Sequence, residues 1–396
     1  MNAARIRLLN ISRVFHMLRL NPNSSQRELV RGTGIDQATI SAVVNQLEEA
    51  GLVERSTKPS RGRVGRPEDA LSIAPDAGLL IGASLEPDII RLIATALDGT
   101  PLLKLRVPGS RDTSLAIKTL RRGVEVLAAQ ASFPLSKVRG IGVGVPAVMG
   151  VDGRVIFAPN LEWHQVPLAT LLAGIFDVPV YTDNDTNAAA LAEKLFGSCR
   201  DVSDFIYITG HSGIGGGLFL GGNLYRGANG YGGEIGHMKV VPAGRACACG
   251  QRGCLEAYVS ESSLLKRLAE VGITLPDIVG VVQEATRGNE IVLALLGETG
   301  EYLGLAIANL VNLTNPQLVV LGGALAIAAS YLLPVIEQVV RRNAMTALTH
   351  SARVVVSPLG AESVPMGGIA LALEGLLAEP GWFSTSDIDT RQGVPS

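Results

Sequence analysis

EIGHMKVVPAGRACACGQRGCLE, residues 234–256, sets one histidine and three cysteines at ligand-like spacing beside two carboxylates. His237, Cys247, Cys249 and Cys254 supply one nitrogen and three sulfurs, a set that closes a tetrahedral zinc shell with no open position, which is the composition of a structural site. Three of the chain's four cysteines fall within eight residues here. Gly244, Gly250 and Gly253 let the backbone turn tightly enough for four ligands to converge. The plainer alternative is a group of small buried thiols with a satisfied histidine, but CxC followed by a third cysteine in a glycine-rich loop has the spacing of a zinc site.

Moving outward, the loop is preceded by GHSGIGGG at residues 210–217, DNDTNAAALAE at 183–193 and PNL at 159–161, and followed by NPQLVVLGG at 315–323. Each glycine run alone is a weak signal, but the set is specific. Together these motifs resemble the core of the ROK family of sugar kinases and sugar-responsive transcriptional repressors, over residues 79–374. The resemblance implies a two-lobed α/β fold of the actin-like ATPase, ribonuclease H-like, sugar-kinase type.

Composition bounds the classes. With 396 residues, 47% hydrophobic and 4% aromatic, the chain has enough material for two or three domains with aliphatic cores. No run reaches the roughly 18 uninterrupted apolar residues of a membrane span, and Arg5, Arg7 and Arg13 interrupt the N-terminal apolar residues where a signal peptide would be continuous. A cytoplasmic protein with reduced, metal-bound thiols is therefore expected, with no membrane partner. The net charge of −2 is unevenly divided: residues 1–75 carry eleven Lys or Arg against seven Asp or Glu, whereas the remainder carries 23 against 29. A basic module on an acidic body is the balance of a nucleic-acid-binding head.

That head reads as three helices and a wing. Apolar residues at 8, 9, 11, 14, 15 and 18 keep helical period up to Asn21-Pro22. Ser25 and Glu28 have capping-box spacing for a second helix that ends near Gly34. Asp36 caps a third helix over 37–50, which turns Ile40, Val43, Val44 and Leu47 inward and leaves Gln37, Ala38, Thr39, Ser41 and Asn45 on or near the other face. This is a helix-turn-helix whose last helix fits a major groove, with Arg27 of the preceding helix among the expected contacts. LVERS and DALSIA then read as strands around KPSRGRVGRP, residues 58–67. Arg61, Arg63 and Arg66 in this slim loop suit a minor groove or a phosphate strand, and the alternative is a solvated linker. The head is assigned to residues 1–75, a first lobe to 76–190 plus about 361–378, a second lobe with the zinc loop to 191–360, and a disordered polar tail to 379–396.

The resemblance assigns a pocket. Asp185 matches the kinases' general base, a vestigial position if no phosphate is transferred, and Asn184 matches a sugar-binding asparagine. Asp183 is the expected helix cap. Glu234, His237 and Glu256 complete the sugar site: carboxylates accept hydroxyl protons, and a metal-bound imidazole offers its second N–H. Asn160 is a further candidate, and Trp163 has equal claims as a stacking platform or a core residue. Family kinases carry a DxGxT-type phosphate loop where this chain has Ser84, Glu86, Pro87 and Asp88. Its glycines and aspartate are gone, and two carboxylates there are expected to repel a triphosphate. The expectation is a sugar-responsive repressor that is not an enzyme, binding operator DNA as a homodimer or homotetramer with a monosaccharide effector and structural zinc. An ATP-dependent, glucokinase-like sugar kinase with an accessory head is the alternative.

Overall fold

The computed structural model describes residues 3–57, 69–210, 213–348 and 352–379. Its head comprises α1 (Ala3–Leu20), α2 (Gln26–Thr33), α3 (Gln37–Glu49), and the antiparallel pair β1 (Val53–Thr57) and β2 (Asp69–Ile73). The expected capping box is present: Ser25 accepts from the Glu28 amide, and Glu28 accepts from the Ser25 amide at 2.7 Å. Asp36 caps α3 through the Thr39 amide at 2.9 Å. Ile40, Val43, Val44 and Leu47 are buried against Ile11, Val14, Phe15 and Leu18 of α1, while Leu9 is exposed. The basic loop with Arg61, Arg63 and Arg66 lies outside the described residues.

Two five-stranded sheets follow, with the same strand plan. The first is ordered β10-β6-β3-β4-β5, from β3 (Leu79–Leu85), β4 (Ile89–Ala96), β5 (Pro101–Pro108), β6 (Val138–Val145) and β10 (Val180–Asn184). The second is ordered β13-β12-β11-β14-β15, from β11 (Phe205–Gly210), β12 (Ile214–Leu220), β13 (Asn223–Tyr225), β14 (Leu318–Gly322) and β15 (Arg353–Val356). In each, three strands form an antiparallel meander and two more add in parallel to its first strand. Parallel addition requires crossovers, and helices supply them. In the first lobe these are α4 (Thr113–Gln130) and α5 (Leu168–Ala173), with a small sheet of β7 (Val148–Met149), β8 (Val155–Ala158) and β9 (Trp163–Val166) beside α5. In the second they are α7 (Glu256–Val259), α8 (Glu261–Glu270), α9 (Ile278–Thr286) and α10 (Glu290–Thr314), then α11 (Gly323–Ile327) and α12 (Ala329–Asn343). Of these, α8, α9 and α10 are capped in turn by Ser260, Asp277 and Asn289.

The helix after each sheet's last strand packs on the other lobe. α6 (Asp185–Leu195) follows β10 but lies on β11 and β12, and α13 (Ser363–Ala378) follows β15 but lies on β3, β6 and β10. The two helices also pack on each other. α13 can approach so closely only because glycines face it: a Cβ on Gly142 would fall 1.8 Å from the Gly368 carbonyl oxygen. The boundary expected at residue 190 therefore cuts through α6, which bridges the lobes. One apolar cluster runs from the head core through Leu80 and Ile93 to α6 and α13, with separate cores around α4 and around α10 and α12. α10 and residues Gly360–Ala378 are long and apolar enough, by length and composition, to cross a membrane, and here they form core helices packed on α12 and on the first sheet.

Candidate ligand and metal site

The last two residues of β10 and the first turn of α6 carry the DND run, and the structure divides its work differently from the sequence expectation. Asn184, not Asp183, is the helix cap: its Oδ1 accepts from the Thr186 amide at 2.9 Å and the Asn187 amide at 3.0 Å. Its Nδ2 donates to the Ala147 carbonyl at 3.0 Å, so Asn184 is left with one amide hydrogen for a ligand. Asp183 is buried in a network of its own. Its Oδ1 accepts from the Asn184 amide and from Asn187 Nδ2, and its Oδ2 accepts from Arg226 Nε at 2.8 Å and Nη2 at 2.6 Å. All three side chains of the run can cap a helix; Asn184 stands immediately before the first residue of α6, and Asp183 is drawn off by Arg226.

Asp185, one residue into α6, accepts from the Thr186 amide at 2.8 Å and the Thr186 hydroxyl at 3.3 Å, both on Oδ1. Desolvation pushes its carboxyl up to about 6; Glu86 and Glu234 add to the rise, and the Thr186 hydrogen bonds oppose it. Asp185, Glu86 and Glu234 therefore share one electrostatic neighbourhood, drawn from β10–α6, the β3–β4 turn and the metal loop. Glu234 is also raised, first by desolvation and then by Glu256, against His237. Glu256, at the start of α7, accepts from the Ile214 amide at 3.1 Å and from Cys247 Sγ at 3.6 Å. Asn160 is exposed in the turn after β8. Trp163 is core: it is buried, and its Nε1 donates to the Arg111 carbonyl at 2.6 Å. His211 and Ser212 lie outside the described residues.

The metal loop converges as expected. The ligand atoms of His237, Cys247, Cys249 and Cys254 lie within 4.8 Å of one another. Zinc–ligand bonds of roughly 2.0–2.3 Å give a tetrahedron with edges of about 3.3–3.8 Å. His237 Nδ1 to Cys247 Sγ and Cys249 Sγ to Cys254 Sγ are each 3.8 Å. These residues fit a metal ion held through His237 Nδ1, leaving Nε2 facing Glu234 at 3.9 Å. Lys239 Nζ donates to Cys254 Sγ at 3.1 Å, which places a cation beside sulfurs that would be thiolates on a bound metal ion.

At the β3–β4 turn the physics differs from the expected repulsion of phosphate by two bare carboxylates. Glu86 is not bare: Arg91 pairs with it, and Ser84 Oγ donates to it at 2.7 Å. Its backbone N–H is spent on the Ile89 carbonyl at 3.1 Å, and Pro87 has none. Asp88 alone is exposed. Arg91 was not singled out from sequence, although its spacing from Glu86 across a tight turn was a readable signal.

In the head, Gln37, Ala38 and Asn45 are exposed on α3, as is Arg27 on α2, and Ser41 is half-buried. Gln26 Oε1 accepts from both Gln37 Nε2 and Ser41 Oγ at 2.9 Å, so α2 organises the polar face of α3. Thr39 is turned toward the cap, donating to Asp36 Oδ2 at 2.7 Å. Ala42, also exposed, continues the stripe of Ala38 and Asn45 at helical spacing.

A DNA-binding type of head thus stands before a two-lobed body in which Asp185, Glu86, Glu234 and Glu256 gather carboxylates near a Cys3His loop. The ROK family profile matches residues 81–375, and the chain belongs to the ROK family. The MarR family profile matches residues 12–63. The chain is similar to the xylose repressor of Caldicellulosiruptor bescii, 30% identical over 90% of this chain and 93% of that protein. Among solved structures it is similar to a ROK family transcriptional regulator described as a homologue of E. coli MLC, with TM-score 0.83, 26% identity and coverage of 96% of this chain and 98% of that one. A ROK family glucokinase from Streptomyces griseus, solved with glucose and AMPPNP, matches with TM-score 0.66 and 26% identity over 75% of this chain and 100% of its own. The architecture is a winged helix-turn-helix joined to a ROK sugar-kinase-like fold.

Proposed function

We propose that this chain is a sugar-responsive transcriptional repressor of carbohydrate metabolism, binding operator DNA through its head and a monosaccharide in its body without phosphorylating it. The observation that carries this reading is the helix-turn-helix in the same chain as the pocket. Relatives named repressors or transcriptional regulators match over both parts, whereas the glucokinase structure matches 75% of the chain.

In this reading Asp185, Glu234 and Glu256 accept sugar hydroxyls, Asn184 adds one N–H and Asn160 reaches the rim. A structural zinc held by His237, Cys247, Cys249 and Cys254 would keep the loop folded and fix His237 with its Nε2–H toward the sugar. With four protein ligands it offers no open position for chemistry. On the DNA side, Gln37, Ala38, Ser41 and Asn45 meet base edges, Thr39 supports the helix start, and Arg27, Arg61, Arg63 and Arg66 meet phosphates or the minor groove. Two copies reading two half-sites would make the protein a homodimer, or a tetramer of such pairs. We take residues 1–75 as the head, 76–190 with 361–378 as the first lobe and 191–360 as the second, with α6 running across the boundary between the lobes.

The β3–β4 turn supports the absence of phosphoryl transfer, since Glu86 is tied to Arg91 and Ser84 and its amide to Ile89. One observation favours a kinase: Asp185, with its carboxyl raised to about 6, is suited to act as a general base near neutral pH. Calorimetry with D-xylose, D-glucose and N-acetylglucosamine, DNA binding with and without the sugar, and an ATP-consumption assay separate the two. The repressor reading expects one sugar to bind and change DNA affinity with no ATP use. Turnover of ATP on a hexose, abolished by Asp185→Asn, would replace it with the kinase reading.

A further inference from the structure

The helix that opens with the sugar-facing carboxylate closes on the DNA-binding head. α6 runs eleven residues from Asp185 to Leu195, about 16 Å at the usual rise. Thr186 through Glu193 are all buried. On one side a Cβ at Gly367 of α13 would lie 2.3 Å from the Ala188 carbonyl oxygen; on another, Cβ atoms at Gly215 and Gly217 of β12 would strike Thr186 and Ala190. Glu193 is tied to Ser357 of the second lobe and to the Ser198 amide. A helix seated this tightly moves as a unit, because a close-packed interior shifts between arrangements and does not absorb displacement gradually.

At the far end, Arg19 of α1 takes hold of it. Arg19 Nη2 donates to the Leu195 carbonyl at 3.0 Å, and its guanidinium carbon lies 5.0 Å from the centroid of the Phe196 ring. The site is crowded: burial and Arg200 lower the Arg19 pKa to about 10, against Glu374 and Asp98. A second tie runs from His16 Nε2 to Glu374 of α13 at 3.0 Å. Arg19 Nε and His16 Nδ1 are buried without hydrogen-bond partners among the described residues, so the joint is not fully satisfied in this arrangement. α1 cannot move without the rest of the head, since its Val14, Phe15 and Leu18 share the core with α3 and Arg13 donates to the Thr33 carbonyl at the end of α2.

We propose that Arg19 couples sugar occupancy to DNA affinity, by fastening α1 to the C-terminal end of the helix whose N-terminal end carries Asp185. This rests on the reading above, that one chain binds both a sugar and DNA. Arg19 is here a positioning residue: it touches neither ligand, and its removal should change the ratio of DNA affinities with and without sugar more than either affinity alone.

The test uses the full-length chain, a fluorescent duplex selected from a random library by that chain, and D-xylose, D-glucose and N-acetylglucosamine as sugar probes. DNA Kd is measured without sugar and at saturation, and sugar Kd separately by calorimetry. For the unaltered chain the two DNA constants should differ by about tenfold or more, within the usual range of allosteric coupling. Arg19→Gln should bring that ratio to within about twofold of one, with the sugar Kd and sugar-free DNA Kd kept within about threefold, and Arg19→Lys should recover part of it. Should Arg19→Gln fail to fold by circular dichroism, Glu374→Gln, at a more exposed position, weakens the second tie and should lower the ratio. A ratio unchanged in the folded variants overturns the role of Arg19 and leaves the repressor reading standing. An unaltered chain that binds sugar with no change in DNA affinity overturns the reading and the coupling together.

Discussion

Replacing Asp185 by asparagine should make the protein more stable at pH 8 while weakening its hold on sugar. The carboxyl is lifted from its ordinary 3.8 to about 6, chiefly by desolvation. Between those values the folded protein keeps a proton that the unfolded chain has released, so stability falls as pH rises through the window and stays low above it. The gap corresponds to about 3 kcal/mol, and partial solvent access of the side chain reduces the expected gain on substitution to about 1–3 kcal/mol. Asparagine retains the Oδ1 that accepts both Thr186 hydrogen bonds, so the helix start is not otherwise disturbed. Denaturant unfolding of both proteins at pH 8 and pH 4.5 measures the difference, and the gain should shrink to about a third at the lower pH. Sugar binding that needs the ionised group should weaken about tenfold per pH unit below 6 in the unaltered protein and become flat with pH in the variant. A variant that is destabilised at pH 8, or whose stability difference does not vary with pH, would refute the argument from desolvation.

Purified without chelator, the protein should contain about one zinc per chain by mass spectrometry of the metal, and Cys249→Ser should lose both the zinc and sugar binding, because the loop carries His237 and leads into Glu256. Absence of zinc would sink the metal assignment. Arg63→Ala with Arg66→Ala should weaken binding to every duplex and flatten the salt dependence, whereas Gln37→Ala or Asn45→Ala should change which bases are preferred. Equal effects of both sets on selected and random DNA would contradict that division.

The head was legible because its signals are local. Ser25 and Glu28 lie three residues apart, Asp36 precedes an apolar stripe, and the structure realises both caps. The two-lobed α/β body was legible through the resemblance, but β7 to β9 were not, since strands of two to four residues carry too little periodicity to register. Trp163 could be read either way until its indole was seen bonded to Arg111. The DND run misled for a different reason. Three consecutive residues could each cap α6, and what removes Asp183 from that role is Arg226, 43 residues away in sequence. Convergence of the metal loop needed no such distant partner, because its four ligands span eighteen residues and glycines set the turns. The β3–β4 turn shows the opposite limit: the resemblance led to the expectation of an altered phosphate loop, but the sequence did not show that Arg91 pairs with Glu86.

The exchange of terminal helices between the lobes has a consequence for synthesis. The face of the first sheet over Gly82 and Gly142 is covered by Pro365, Gly368 and their neighbours in α13, which follows β10 by about 180 residues in the chain. At about 5–20 residues per second, the first sheet waits roughly 9–36 seconds after β10 has emerged before its cover arrives. The head, whose α2 and α3 carry their own caps, can form in that interval while the body remains open along a strip of glycine-lined backbone. A premature stop before residue 363 would therefore release a chain with a formed head on an uncovered sheet, a species for quality-control proteases and not a shortened regulator.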